Sequence, residues 1–235
     1  MVDLPRTAQG FGTAQKCPDC EPDVSQRCGL NYGELALSAA SIRGNGEMEQ
    51  TLRRLVNAVA EQPAGWLTLW GNYGTAKTLT VQVIVAELVR RRKPARFIHA
   101  KRLEQIWFED MHGDTATAAS FRDVTVLAID EMDKCNLKSE WVRQQFQELL
   151  DHRYRSAVAG KTLTLFTVQA DPADVLPGDI VSRMGDGRFY RPWAQRTAQT
   201  VERWQATVIP GIIHVQGVDR RPSISPAFVG RRAAP

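Results

Sequence analysis

An apolar stretch, WLTLW at residues 66–70, runs straight into GNYGTAKT at 71–78 and then into a helical pattern that extends from Ala76 to about Arg92. No other part of the sequence limits the fold as tightly. Gly71 and Gly74 let the backbone turn sharply and aim amide N–H groups at an anion, and the N-terminus of the helix that follows adds its dipole. Lys77 is then placed for the β- and γ-phosphates of a nucleotide, and the Thr78 hydroxyl for the Mg²⁺ that bridges them. The residues expected to hold ATP are Gly71, Asn72, Tyr73, Gly74, Thr75, Ala76, Lys77 and Thr78.

Ala76 departs from the usual phosphate loop, which carries a second glycine directly before the lysine. Alanine adds one methyl group, keeps its amide donor and strains only where φ is positive. At a position that already begins the helix, with helical dihedrals, the departure is expected to be mild.

Further along, MEQTLRRLVNAVAEQ places Leu52, Leu55, Val56 and Val59 at helical spacing, enough for about four turns. ARFIHA reads as a strand, KRLEQIWFED as a helix, and VTVLAID as a strand buried on both faces. A helix over 139–156 carries Val142, Phe146, Leu149 and Arg153 on one stripe, and the strand TLTLFTV follows it. Strands alternating with helices imply a parallel sheet and an α/β fold.

The chemistry beyond the loop gathers at strand ends. VLAIDEMDK ends an apolar strand in Asp130 and Glu131, at the carboxyl edge where α/β sheets bind ligands. Asp130 can hold Mg²⁺ and Glu131 can orient and polarise an attacking water. In TLFTVQAD, Thr167 and Gln169 would lie beside the γ-phosphate if their strand sits between the two motif strands, and the Gln169 amide can sense that phosphate. VSRMGDGR offers Arg183 and Arg188, of which Arg183 is the favoured arginine finger toward a neighbouring subunit.

Residues 50–190 resemble the AAA+ ATPases of the DnaC/DnaI helicase-loader and IstB transposition-helper group. WLTLWGNYGTAKTLT, VTVLAIDEMDK, the helix ending in LLDHRYRS, and FTVQAD followed by IVSRMGDGRF carry the likeness, in order. The resemblance implies a P-loop ATPase core with a central five-stranded parallel sheet, and ATP-driven assembly of like subunits. It also implies single-stranded DNA binding and delivery of a replicative helicase to DNA, or of a transposase to its target. Two residues depart from the family pattern: Ala76 replaces a glycine, and Gln169 replaces the asparagine at the phosphate-sensing position. After Arg188 too little chain remains for a full helical lid. The leading expectation is an ATP-hydrolysing helicase loader of the DnaC kind. The alternatives are an IstB-like transposition helper and a nucleotide-bound adaptor without turnover.

The 235 residues are 43% hydrophobic and 24% charged, ordinary for one full-sized domain with appendages. A net charge of +4 suits a polyanionic partner without requiring one. MVDLPRTAQGFGTAQK lacks the apolar core of a signal peptide and VQVIVAELV is too short to span a bilayer, so a cytoplasmic protein with no membrane partner is expected. Three segments are expected: 1–46, a cysteine-containing module that binds a partner; 47–210, the ATPase domain; and 211–235, a basic, proline-rich, disordered tail. TAQTVERWQATVI within the second reads as a helix. Cys17, Cys20 and Cys28 resemble half a zinc ribbon with three Zn²⁺ ligands and no fourth; free cytosolic thiols are the alternative. Cys135 reads as a packed or interface thiol. For DNA the candidates are Lys101, Arg102 and Trp107, with core packing the competing reading for Trp107, and the tail arginines Arg220, Arg221, Arg231 and Arg232.

Overall fold

Strands that are apolar at nearly every position need cover on both faces. The computed structural model shows how this chain supplies it, and it describes residues 24–44, 46–113, 118–189, 191–192, 208–209 and 211–216. β1 (Gly65–Trp70), β2 (Ala95–His99), β3 (Val126–Asp130) and β4 (Leu163–Val168) are parallel neighbours in one sheet. A small antiparallel pair, β5 (Arg191–Pro192) with β6 (Val208–Ile209), precedes the fifth strand of the sheet, β7 (Ile212–His214). The sheet order is β2-β3-β4-β1-β7, so β4 does lie between the two motif strands.

Alternation along each strand divides the apolar residues into two cores. Leu67, Leu69, Val126, Ala128, Leu163 and Leu165 face one side, against α3 (Glu47–Glu61) and α4 (Lys77–Arg90). Trp66, Leu127, Ile129, Phe166 and Val168 face the other, against α5 (Ala100–Met111), α7 (Glu140–Val158) and α9 (Gly178–Met184). The predicted stripe of α3, Leu52, Leu55, Val56 and Val59, is fully covered. Short helices α1 (Val24–Cys28), α2 (Tyr32–Leu35), α6 (Ser120–Asp123) and α8 (Pro172–Val175) fill the connections. No helix among the described residues is long and apolar enough to cross a membrane.

Two expected boundaries are corrected. The segment from 211 is not wholly tail: β7 pairs with Thr68–Trp70, the Val215 amide donates to the Trp70 carbonyl at 2.7 Å, and Val215 is fully buried. A three-residue edge strand close behind Pro210 is too short to give a periodic signal. Nor does the core start at 47. Cys28, Leu30 and Ile42 are buried with α3 and α4, and Arg90 on α4 donates to the carbonyls of Leu35 and Leu37, each at 2.9 Å.

Cys28 is 3% exposed, with its sulfur 3.7 Å from the Ser25 carbonyl oxygen. Cys17 and Cys20 lie outside the described residues, as do the tail arginines and most of the TAQTVERWQATVI helix, whose last two residues form β6.

Candidate active site

The site grows from the turn after β1. Gly71 has φ +142°, and a Cβ there would stand 2.4 Å from the Val215 carbonyl oxygen, so the turn presses against the end of β7 and admits no side chain. Gly74 follows with φ 72°. Ala76 then adopts φ 69° and ψ 18°, and α4 begins only at Lys77. The mild departure expected at Ala76 is thereby overturned. The residue occupies the left-handed region just outside the helix, where a Cβ costs roughly 1–2 kcal/mol, and this accounts for the glycine that such loops usually place there. Inside the loop, Lys77 Nζ donates to the carbonyls of Gly71 at 2.6 Å and Asn72 at 2.7 Å, and the Thr75 hydroxyl to Asn72 at 2.9 Å.

Across from the loop, Asp130 is 1% exposed and has partners on both oxygens. Its Oδ1 accepts from the Thr78 hydroxyl at 2.9 Å and the Thr167 hydroxyl at 2.6 Å, and its Oδ2 lies 3.2 Å from His99 Nδ1. The hydrogen bond to Asp130 holds the His99 imidazole above its usual pKa. Thr167 in turn accepts the Glu131 amide at 2.8 Å, so one hydroxyl on β4 fixes both members of the acidic pair. Glu131 has φ 54° and ψ 53°. Neighbouring strand residues point to opposite faces; the left-handed turn directly after β3 breaks that rule and brings the exposed Glu131 carboxylate to the cleft.

The cleft has a volume of about 430 Å³ and is bounded by Tyr73, Lys77, Thr78, Glu131, Thr167 and Gln169. Strand-to-strand spacing explains the convergence, since β1, β4 and β3 are adjacent and all end on this edge. Thr78 and Asp130 present hard oxygen donors side by side, the chemistry that Mg²⁺ requires. Ligand atoms of His99, Asp130 and Glu131 also lie within 4.8 Å of one another.

With that geometry in place, comparison with known proteins is decisive at the level of family. The ATPase family associated with various cellular activities (AAA) matches residues 67–189, more than half of the sequence. The chain belongs to the AAA family. No curated protein matches it in sequence. Among solved structures, this AAA protein resembles DnaI at 18% identity and a TM-score of 0.54, covering 82% of this chain and 94% of that one. It resembles the DnaC helicase loader at 15% identity and a TM-score of 0.53, over 79% and 100% of the two chains. AMPPCP-bound DnaA from Aquifex aeolicus aligns at 16% identity and a TM-score of 0.53, over 76% of this chain and 50% of that one. The chain thus spans only half the length of that DnaA. These likenesses concern the fold.

Other predicted residues fall elsewhere in the AAA core. Arg183, on α9, is absent from the cleft lining; its guanidinium lies 2.7 Å from Asp151 and 3.6 Å from Asp179, over the Tyr154 ring. The close approach to Asp151 is an ion pair whose angle is off-line for a hydrogen bond. Arg188 is tied to Asp186 and Tyr154. Arg153 is fully buried, donating to Thr164 and to the carbonyls of Phe121, Arg122, Val124 and Leu163, and burial lowers its pKa to about 9. Trp107 stacks edge-on against Phe146 in the core, as its competing reading had it, while Lys101 and Arg102 pair with Glu104 and Glu109. Cys135 is packed, its thiol donating to the Met132 carbonyl.

Sequence reading missed His99, Ser41 and Arg43. The first has a usable signal, a histidine ending β2 in register with Asp130. Ser41 and Arg43 line the cleft from a segment that sequence reading assigned to an appended module, and nothing local marks them.

Proposed function

We propose that the protein is an ATP-hydrolysing loader that delivers a replicative helicase to single-stranded DNA. The observation that carries the nucleotide chemistry is the single cleft bounded by Lys77, Thr78, Glu131 and Gln169, with Asp130 directly behind Thr78. Lys77 binds the β- and γ-phosphates, helped by the loop amides. Thr78 and Asp130 would hold Mg²⁺, which when bound neutralises charge across the phosphates. Glu131 orients the water and draws its proton, and the Gln169 amide donates to the γ-phosphate. Arg183 acts on the cleft of a neighbouring subunit, consistent with its place outside its own.

The choice of a loader rests on extent. The chain aligns along 94% of DnaI and all of the DnaC helicase loader, against half of DnaA. The test is reconstitution with the replicative helicase encoded in the same genome. ATP should support a complex with that helicase, and single-stranded DNA should raise phosphate release. Binding to a co-encoded transposase, with none to the helicase, would move the protein to the transposition-helper class.

A further inference from the structure

A glutamine that senses phosphate must present its NH₂ end, yet the two ends of an amide are alike in shape and opposite in hydrogen bonding. The family's asparagine is shorter by one methylene and has fewer ways to point. Gln169 therefore needs something that fixes which end faces the cleft.

The 3₁₀ turn directly after Glu131 provides it. Lys134 Nζ lies 2.9 Å from Gln169 Oε1. An ammonium group donates only, so the amide oxygen is held on the Lys134 side and the NH₂ group is left for the cleft that Gln169 lines. Asp133, one residue earlier, accepts the Gln169 backbone amide at 3.3 Å and anchors the other end of the residue. The same ammonium lies 3.3 Å from the Tyr73 hydroxyl and 5.8 Å from the centre of that ring, and so ties the sensing strand to the phosphate loop. Lys134 itself is not part of the cleft lining.

We propose that Lys134 is a positioning residue that sets the Gln169 amide with its NH₂ group toward the γ-phosphate, and so makes the site distinguish ATP from ADP. The inference rests on the reading of the cleft as an ATP site. Lys134 acts through Gln169, from a position outside the cleft lining.

The experiment compares ATP and ADP affinities, measured calorimetrically with Mg²⁺, for the full-length protein and for Lys134→Met, Lys134→Arg, Gln169→Ala and the Lys134→Met/Gln169→Ala pair. Lys134 has a side chain 43% exposed, and melting curves establish that each variant is folded. Lys134→Met should weaken ATP binding about tenfold, the scale of one oriented hydrogen bond to a charged group, and leave ADP unchanged. Lys134→Arg, which keeps a donor-only cation, should stay within about threefold of the parent. In the Gln169→Ala background the Lys134→Met change should have no further effect. Equal losses for ATP and ADP, or losses that multiply in the pair, overturn the inference while leaving the ATP site intact. A parent protein that binds neither nucleotide overturns both readings.

Discussion

Replacing Ala76 with glycine tests the loop backbone by the sign of its effect. At φ 69° and ψ 18° the alanine sits in the left-handed region, where crowding of its Cβ costs roughly 1–2 kcal/mol. Glycine removes that cost but frees the unfolded chain by about 0.4–1 kcal/mol. The difference is a net gain of ~0.5–1 kcal/mol, trimmed toward the lower figure because the half-buried methyl group packs on the first core. For a chain of this size, that raises Tm by ~1–3 °C. An alanine with helical dihedrals would respond in the opposite direction, losing roughly 0.5–1 kcal/mol as glycine. Scanning calorimetry of Ala76→Gly beside the parent separates the two. A lower Tm for the glycine variant would refute the left-handed assignment and restore the mild reading of the loop.

Lys77→Ala should abolish ATP binding in a nucleotide titration, whereas Glu131→Gln should keep it and stop phosphate release, because one supplies charge to the phosphates and the other activates water. Arg183→Ala should bind ATP nearly normally yet turn over ~10³-fold more slowly; admixed Lys77→Ala protein should restore part of the rate by lending its arginine across the subunit boundary, as read by phosphate release over mixing ratios. Arg153→Ala leaves buried carbonyls without their donor and should cost about 3–5 kcal/mol in chemical denaturation. A chain ending at residue 210 loses the burial of Ile213 and Val215 and should be destabilised by roughly 3–5 kcal/mol in the same assay.

What the sequence made legible follows from how local each signal is. The loop, the acidic pair and four strands announce themselves within a few residues each, because hydrophobic periodicity and glycine placement are local properties. Thr167 and Gln169 could be placed only on the condition that their strand lies between the two motif strands, a condition the sheet order meets. Ala76 was misread because a dihedral is set by the path of the whole loop, which must complete one more left-handed turn before the helix can start. β7 and the cleft-lining Arg43 were invisible for another reason: a three-residue strand and a lone arginine gain meaning only from partners far away in the chain.

The remoteness of β7 has a consequence during synthesis. Its partner on β1 lies about 140 residues earlier, a long loop to close. A chain emerging from the ribosome has β1, the phosphate loop and α4 available early, yet the turn at Gly71 has nothing behind it until Val215 has left the tunnel. The phosphate loop is therefore backed only once β7 has been made. A chain stalled or clipped before Val215 carries a phosphate loop without the backing that its Gly71 turn presses on.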